Sequence, residues 1–158
     1  MEGKDRVESY LRDQGVSFET HEHPEAFTAQ EVAAAEHVPG GILAKVVVLS
    51  AGERLAMAVL PAPLQVDLAK AGAALGAKDT RLATEKEFEP LFSDCDTGAM
   101  PPFGNGTIYD LPVYIDPRLS EQDTIVFNAC THTDTIRMAY ADLEKLVKPE
   151  VADLSAEA

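Results

Sequence analysis

A long apolar run that contains a single charge limits the fold of this chain more than any other feature. Residues 40–50 have the sequence GGILAKVVVLS, and Lys45 is the only charged side chain between Val38 and Gly52. A run that is rich in β-branched residues and apolar at both alternating positions is typical of a strand buried on both faces. The segment RLAMAVLP, residues 54–61, follows directly, so the two segments predict a buried β-hairpin.

Further helices and strands are predicted on both sides of this hairpin. The predicted helices have apolar faces, capping boxes or a terminal glycine: residues 4–14, a segment that begins at Thr28, residues 66–76, residues 84–92 and residues 141–147. The predicted strands are residues 16–23, 111–116, 123–129 and 135–140. Their irregular order predicts one domain over residues 1–158, an α+β (mixed α/β) fold whose partly closed sheet is surrounded by helices. Residues 150–158 are predicted to form a frayed tail.

Composition and charge argue against several classes of function. The chain has 27 acidic and 13 basic residues, and a net charge of -14 repels nucleic acid at long range, so DNA binding is not expected. No apolar run approaches the ~20 residues of a membrane helix. The first residues, MEGKDRVESYL, lack the apolar stretch of a secretory signal. Cys95 and Cys130 lie far apart and form no CxxC motif, which fits the reducing cytoplasm better than a disulfide scaffold.

Lys45 is the most informative single residue of the sequence. A buried ammonium group is costly unless it is paired or faces a polar cavity. Lys45 is therefore either an edge-strand lysine whose ammonium reaches water, or a cation that receives an anionic or carbonyl-bearing ligand. The residues of the run leave both interpretations open.

The segment TGAMPPFGNG, residues 97–106, predicts a stiff loop with an accessible backbone. Gly98 can adopt backbone angles that are closed to other residues, whereas Pro101 and Pro102 lock their own. A rigid platform of backbone groups can hold a water molecule or an oxyanion without an ionisable side chain. On composition alone, a plain rigid turn between a helix and a strand explains the segment better.

Two histidine-containing segments give weaker signals. The segment NACTHTDT, residues 128–135, lies between two predicted strands, and His132 could donate hydrogen bonds or exchange protons there. A solvated hairpin turn is the simpler explanation. His21 and His23 would share one face of a strand and could bind a metal if Cys130 or His132 came close. A half-exposed strand end is much the better explanation, and we expect no metal.

Five segments in order resemble a known family. The segments HPEAFTAQEVA, AKVVVL, VDLAKAGAALG, TGAMPPFG and NACTHTDTIRMAYADL resemble the YbaK/ProX family of aminoacyl-tRNA editing domains, which includes the prolyl-tRNA synthetase-associated domain. The resemblance extends from about Val16 to Pro149. It implies a mixed α/β fold and hydrolysis of the ester that joins a wrong amino acid to tRNA, without a metal or cofactor.

The same resemblance implies roles for individual residues. Lys45 matches the strand lysine that anchors the substrate near the terminal adenosine and phosphate. Gly98 and Pro102 match the family's Gly-x-x-x-Pro loop, whose backbone faces the scissile ester, so these three residues are the expected catalytic residues. The expected substrate contacts are Met100, Pro101, Phe103, Cys130, His132 and Asp134.

Two functions follow from this resemblance. The first is a stand-alone trans-editing aminoacyl-tRNA deacylase that acts on the acceptor end of a mischarged tRNA, with an aminoacyl-tRNA synthetase as a second candidate partner. The alternative is a non-catalytic module that binds a small ligand or an aminoacyl-adenosine. Lys45 and the intact Gly-x-x-x-Pro loop favour the enzyme. A small basic patch near Lys45, with Arg54 or Arg137, is the expected contact to the acceptor end of tRNA. Val46 and Cys130 differ from the residues of many members, which leaves the amino-acid specificity open.

Overall fold

The computed structural model describes residues 3–22 and 42–156. The predicted helix that begins at Thr28 and the residue His23 lie outside this part of the chain. The described helices are α1 Gly3–Asp13, α2 Leu68–Leu75, α3 Glu85–Phe88, α4 Pro117–Ser120 and α5 Tyr140–Val147, and a 3-10 helix, Glu89–Phe92, continues α3. The described strands are β1 Phe18–Glu22, β2 Ala44–Ala51, β3 Arg54–Pro61, β4 Thr80–Leu82, β5 Val113–Ile115, β6 Thr124–Asn128, β7 Asp134–Ala139 and β8 Glu150–Val151.

The strands form two sheets that meet at one edge. One sheet has the order β1-β7-β6 and is antiparallel, whereas the other has the order β4-β2-β3-β5-β8 and is mixed. A parallel bridge between Leu43 and Val126 joins them, and the Val126 N–H donates to the Ile42 carbonyl at 2.9 Å. The predicted mixed α/β fold is confirmed. Over the described residues the sheets do not close on themselves.

The predicted hairpin of β2 and β3 is present, with Lys45 opposite Leu60 and Ala51 opposite Arg54. Its alternating side chains serve two different cores. Ala44 and Val48 contribute to the main core, which also contains Met57, Phe103 and Phe127, whereas Leu49 packs with Ala58, Ala71 and Leu154. The double burial explains why the run is apolar at both positions of the strand period.

The predicted helix ends are also found. Asp67 accepts hydrogen bonds from the backbone N–H groups of Ala69 and Lys70, and Gly76 ends α2 with a φ of 69°. The Thr84 N–H donates to Glu87 Oε1 at 2.9 Å, which completes the predicted capping box of α3. None of the described helices has the length and apolarity needed to cross a membrane.

The prediction of a frayed tail is wrong for residues 150–156. Strand β8 pairs with β5, and Leu154 and Ser155 are fully buried. The carboxylate of Asp116 accepts hydrogen bonds from the Leu154 N–H and the Ser155 hydroxyl, at 3.0 and 2.8 Å. The tail is ordered because this carboxylate and the sheet edge bind its backbone, which its acidic composition does not indicate.

Candidate active site

The Gly/Pro loop, residues 97–106, and the turn between β6 and β7, residues 129–134, lie against each other. The Asp96 N–H donates to the Cys130 carbonyl at 2.8 Å, and the Cys130 N–H donates to the Ala99 carbonyl at 2.9 Å. The Ala129 N–H donates to the Asp134 carbonyl at 3.0 Å and closes the turn. Two segments that are more than 20 residues apart in the sequence are thereby joined through their backbones.

Gly98 and His132 form the exposed part of this junction. Gly98 is exposed and has a φ of 86°, a conformation that side-chain-bearing residues rarely adopt. A Cβ atom at Gly98 would lie 3.7 Å from His132 Cε1, so space alone would not exclude a side chain. The backbone conformation therefore explains the glycine, and it brings this peptide beside the half-exposed His132 ring.

The rest of the loop is buried. Met100, Pro101 and Pro102 are buried, and the Phe103 ring lies 5.8 Å from the Tyr10 ring and 5.3 Å from the Phe127 ring, between centroids. Phe103 has no exposed surface. Phe103 is therefore a core residue that anchors the loop, and the expectation that its side chain contacts the substrate is wrong.

Asp134 organises the turn. Its carboxylate accepts hydrogen bonds from the Thr131 hydroxyl at 2.6 Å and the Thr133 hydroxyl at 3.2 Å, and it forms an ion pair with Lys4 at 3.4 Å. Burial by itself raises the pKa of Asp134, but these hydroxyl groups and Lys4 lower it overall. Asp134 is only 6% exposed, so it supports the turn from within rather than offering a surface to a substrate.

Helix α1 supports the site from behind, a role that the sequence patterns do not indicate. Arg6 donates to Asp94 Oδ2 at 3.1 Å and to the Ile108 carbonyl at 2.9 Å, and its guanidinium lies 5.3 Å from the Tyr109 ring centroid. Gly3 packs tightly enough that a Cβ atom there would lie 2.8 Å from Cys130 Sγ. The only local signal for these contacts is two cations in the first turns of a helix from an acidic chain.

Cys95 and Cys130 are joined by a disulfide, which was not anticipated from a sequence that fits a reducing environment. Cys95 lies two residues before the Gly/Pro loop, and Cys130 is the second residue of the turn. Cys130 is 1% exposed and has a φ of 69°. Its side chain therefore supports the junction from inside, in place of the substrate contact that the resemblance implies. A separation of 35 residues carries no pairing signal by itself.

Lys45 lies on the strand next to β6. From the parallel bridge between Leu43 and Val126, two further residues along each strand lead to Lys45 and Asn128, so all four side chains share one face of the sheet. Asn128 is the last residue of β6 before the turn. Lys45 is half-buried, and its ammonium makes no hydrogen bond or ion pair within residues 3–22 and 42–156, to Gly98 or to any other residue. Burial lowers its pKa.

Arg54 and Arg137, the other cations expected to contact tRNA, lie at different distances from Lys45. Arg54 begins β3 at the far end of the hairpin, about 20 Å along the strand from Lys45 at ~3.3 Å per residue. The expectation that Arg54 belongs to a patch around Lys45 is therefore wrong. Arg137 is exposed on β7, opposite Val126, on the face that Lys45 shares.

The described residues do not support the alternative in which His21 and His23 bind a metal. The exposed His21 ring lies 3.2 Å from Glu19 Oε2, and residues 3–22 and 42–156 contain no group of three or more His, Cys, Asp or Glu side chains placed to hold a metal ion.

Comparison with known protein families finds a match to this sequence. The sequence profile of the aminoacyl-tRNA editing domain matches residues 23–146. No curated protein sequence matches the chain closely enough to count as a relative.

Solved structures agree over the whole chain. A candidate trans-editing enzyme for prolyl-tRNA synthetase is 25% identical, with a TM-score of 0.84, and the match covers 98% of each chain. A scaffold protein used for computational epitope grafting is 23% identical, with a TM-score of 0.84 over 99% of this chain and 98% of the other, and has the same fold. A hypothetical protein at 17% identity also has this fold, with a TM-score of 0.84 over 96% of this chain and 99% of the other. The family profile covers well over half of the sequence and includes both the lysine strand and the Gly/Pro loop, so this chain belongs to the aminoacyl-tRNA editing domain family.

Proposed function

We propose that this chain is a stand-alone trans-editing deacylase that hydrolyses the ester of a mischarged aminoacyl-tRNA. The observation that carries the proposal is the junction of the Gly/Pro loop and the 129–134 turn. There the left-handed Gly98 peptide lies beside His132, at the end of the strand that neighbours Lys45. The 25% identity to a candidate trans-editing enzyme for prolyl-tRNA synthetase supports the same activity.

The proposed chemistry needs positioning more than an ionisable catalyst. A water oxygen attacks the ester carbonyl carbon, the bond to the ribose oxygen breaks, and that oxygen leaves with a proton. Backbone N–H groups around Gly98 would stabilise the negative charge that develops on the carbonyl oxygen. The buried anchors of the loop and its hydrogen bonds to Cys130 would hold those donors in place, so little reorganisation is needed during the reaction.

Lys45 would anchor the acceptor end of the tRNA. Its ammonium is partly desolvated and has no partner among residues 3–22 and 42–156, so a phosphate or carbonyl group of the substrate would be its counterpart. The net charge of -14 repels the rest of the tRNA. Binding should therefore neutralise few phosphates and weaken with salt less steeply than a protein with ~6–10 phosphate contacts.

The test is single-turnover deacylation over a panel of mischarged tRNAs, with Lys45→Ala and the exposed Lys145→Ala on α5 as a matched pair. A charge-assisted contact contributes roughly 1.5–3 kcal/mol, so Lys45→Ala should lower the rate at least about tenfold. Lys145→Ala should retain the parent rate. Binding of a non-hydrolysable aminoacyl-adenosine without deacylation of any tRNA would instead identify a binding module, and full activity of Lys45→Ala would remove this lysine from the mechanism.

A further inference from the structure

The Cys95–Cys130 disulfide connects the two segments that form the candidate active site. Cys95 lies three residues before Gly98, and Cys130 lies two residues before His132. Their Cα atoms are 4.2 Å apart. The bond therefore acts at the junction itself and not at a remote part of the fold.

Without the disulfide, only non-covalent contacts would hold this junction in its present form. The two backbone hydrogen bonds of Cys130, to Asp96 and Ala99, would remain. However, Cys130 has a φ of 69°, and a residue with a side chain keeps such a conformation only where its surroundings determine it. A covalent bond from this residue to the neighbouring segment is one such determinant.

One of the two sulfur atoms is placed to react. Cys130 is 1% exposed, whereas Cys95 is half-buried and lines a cavity of about 70 Å³ together with Thr97 and Met100. An incoming thiolate would therefore reach Cys95 Sγ, and Cys130 would be the leaving group.

A hydroxyl group accompanies both sulfur atoms. Tyr109 Oη lies 3.1 Å from Cys95 Sγ and 3.5 Å from Cys130 Sγ, and it donates to Asp94 Oδ1 at 3.0 Å. Burial raises the pKa of Tyr109, so the hydroxyl keeps its proton at neutral pH. The hydroxyl has a single proton, which it donates to Asp94 while the disulfide is closed and can redirect to the thiolate that forms when the disulfide opens.

We infer that Cys95 and Cys130 form a reversible redox site that controls the position of the Gly/Pro loop. A dithiol reductant attacks Cys95 Sγ through one thiolate, the disulfide breaks, and Cys130 leaves as a thiolate. The second thiol of the reductant then releases Cys95, so the reductant becomes a disulfide and its two protons and two electrons end on the cysteines. A disulfide oxidant reverses both steps.

The oxidised form is the one in which the loop and turn are locked together. Reduction removes the covalent link and leaves the backbone hydrogen bonds and the packing of the buried loop residues, so the Gly98 peptide becomes less well positioned. A displacement of about 1 Å can cost ~100-fold in rate, so we expect reduction to lower deacylation by at least about threefold. This consequence for activity rests on the proposed deacylase function, whereas the effect on the loop does not.

The experiment measures the redox state, the junction and the activity separately. The full chain is equilibrated with reduced and oxidised dithiothreitol, free thiols are counted by alkylation and mass spectrometry, and amide hydrogen exchange is followed in both states. We expect two free thiols to appear on reduction and to disappear again on reoxidation. The amides of Asp96 and Cys130 should exchange at least about threefold faster after reduction, while the Met57 amide, which bonds to the Pro112 carbonyl, stays protected.

The variant Cys95→Ser, which leaves the buried Cys130 in place, is the control for the reagents. It should show fast exchange at Asp96 and Cys130 and a low deacylation rate, both insensitive to dithiothreitol. Equal exchange at the junction in both redox states overturns the inference, and so does failure of the disulfide to re-form. Loss of protection at Met57 on reduction overturns it as well, because the bond would then support the whole fold. If neither state deacylates any tRNA, the proposed function fails while hydrogen exchange still decides the redox site.

Discussion

Asp116 and Lys45 are both charged and shielded from water, but only the charge of Asp116 has hydrogen-bond partners in the described part of the fold. Asp116 is fully buried, and its carboxylate accepts hydrogen bonds from the N–H groups of Arg118 and Leu154, the Ser155 hydroxyl and the Arg118 guanidinium. Lys45 is only half-buried, yet its ammonium has no hydrogen bond or ion pair within residues 3–22 and 42–156. The more deeply buried charge is the better satisfied one.

The pKa shifts show the same difference. Burial by itself raises the pKa of Asp116, but its hydrogen bonds lower it overall, so the fold stabilises the charged carboxylate. Burial also lowers the pKa of Lys45, and no described group opposes that effect, so the fold disfavours the charged ammonium. A satisfied buried charge is typical of a structural role, whereas an unsatisfied one is typical of a group that awaits a ligand.

The largest effect should come from removing the satisfied charge. Asp116→Ala leaves the N–H groups of Arg118 and Leu154 and the Ser155 hydroxyl without their acceptor, and each unsatisfied buried group costs about 1–3 kcal/mol. We expect the free energy of unfolding, measured in urea, to fall by about 3 kcal/mol or more. The half-exposed Asp153→Ala is the control and should cost much less. Equal losses in the two variants would show that burial of Asp116 does not matter.

Removing the unsatisfied charge should lower activity while leaving stability unchanged. Lys45→Met keeps the apolar stem beside Leu60 and deletes the desolvated ammonium, so we expect an unchanged or slightly raised melting temperature. Deacylation should fall at least about tenfold if Lys45 anchors the substrate. A clear drop in melting temperature would mean that Lys45 has a structural partner, and the comparison with Asp116 would no longer hold.

Local patterns were enough to predict much of the fold. The β2–β3 hairpin, the Gly76 helix end and the Thr84 capping box depend on interactions within a few residues, and the structure contains all three. The strand β4 carries a weak local signal, and neither it nor the short helix α4 was predicted, although Asp116 and Pro117 mark the start of α4. Their formation depends on pairing with β2 and on the carboxylate of Asp116.

The site was less accessible to sequence reasoning. The stiffness of the loop and the freedom of Gly98 follow from the residues themselves, but the role of the loop and its partner segment were expected only from the family resemblance. The Cys95–Cys130 bond and the contacts of Lys4 and Arg6 join residues that are distant in the chain, and no local pattern encodes them. Burial of Phe103 and order in the tail likewise depend on packing partners that only the folded chain brings together.

A smaller effect is expected at two glycines of the Gly/Pro loop, which share a backbone conformation but differ in their position relative to the site. Gly98 and Gly106 have similar φ angles, 86° and 81°, and a Cβ atom would be sterically tolerated at both. Substitution by alanine should therefore cost each about 1 kcal/mol of stability through backbone strain. Only Gly98 lies beside His132, so only Gly98→Ala should also lower deacylation of the remaining folded protein. Equal activities of the two variants would show that the Gly98 peptide takes no part in the site.

The smallest effect concerns Asp134, whose charge is intermediate between those of Asp116 and Lys45 in how well the fold satisfies it. Its carboxylate is 6% exposed and its pKa is lowered overall, with burial opposed by Thr131, Lys4 and Thr133. A depressed folded-state pKa contributes stability above the unfolded value of about 3.9, and that contribution is lost as the pH falls through the folded-state pKa. Asp134→Asn should therefore reduce the free energy of unfolding at neutral pH and flatten its decline below about pH 4. Urea unfolding at several pH values measures this slope, and the exposed Asp110→Asn corrects for the loss of one negative charge. A slope as steep as that of Asp110→Asn would show that the hydroxyl groups and Lys4 do not stabilise the charged carboxylate, and would place Asp134 with Lys45 rather than with Asp116.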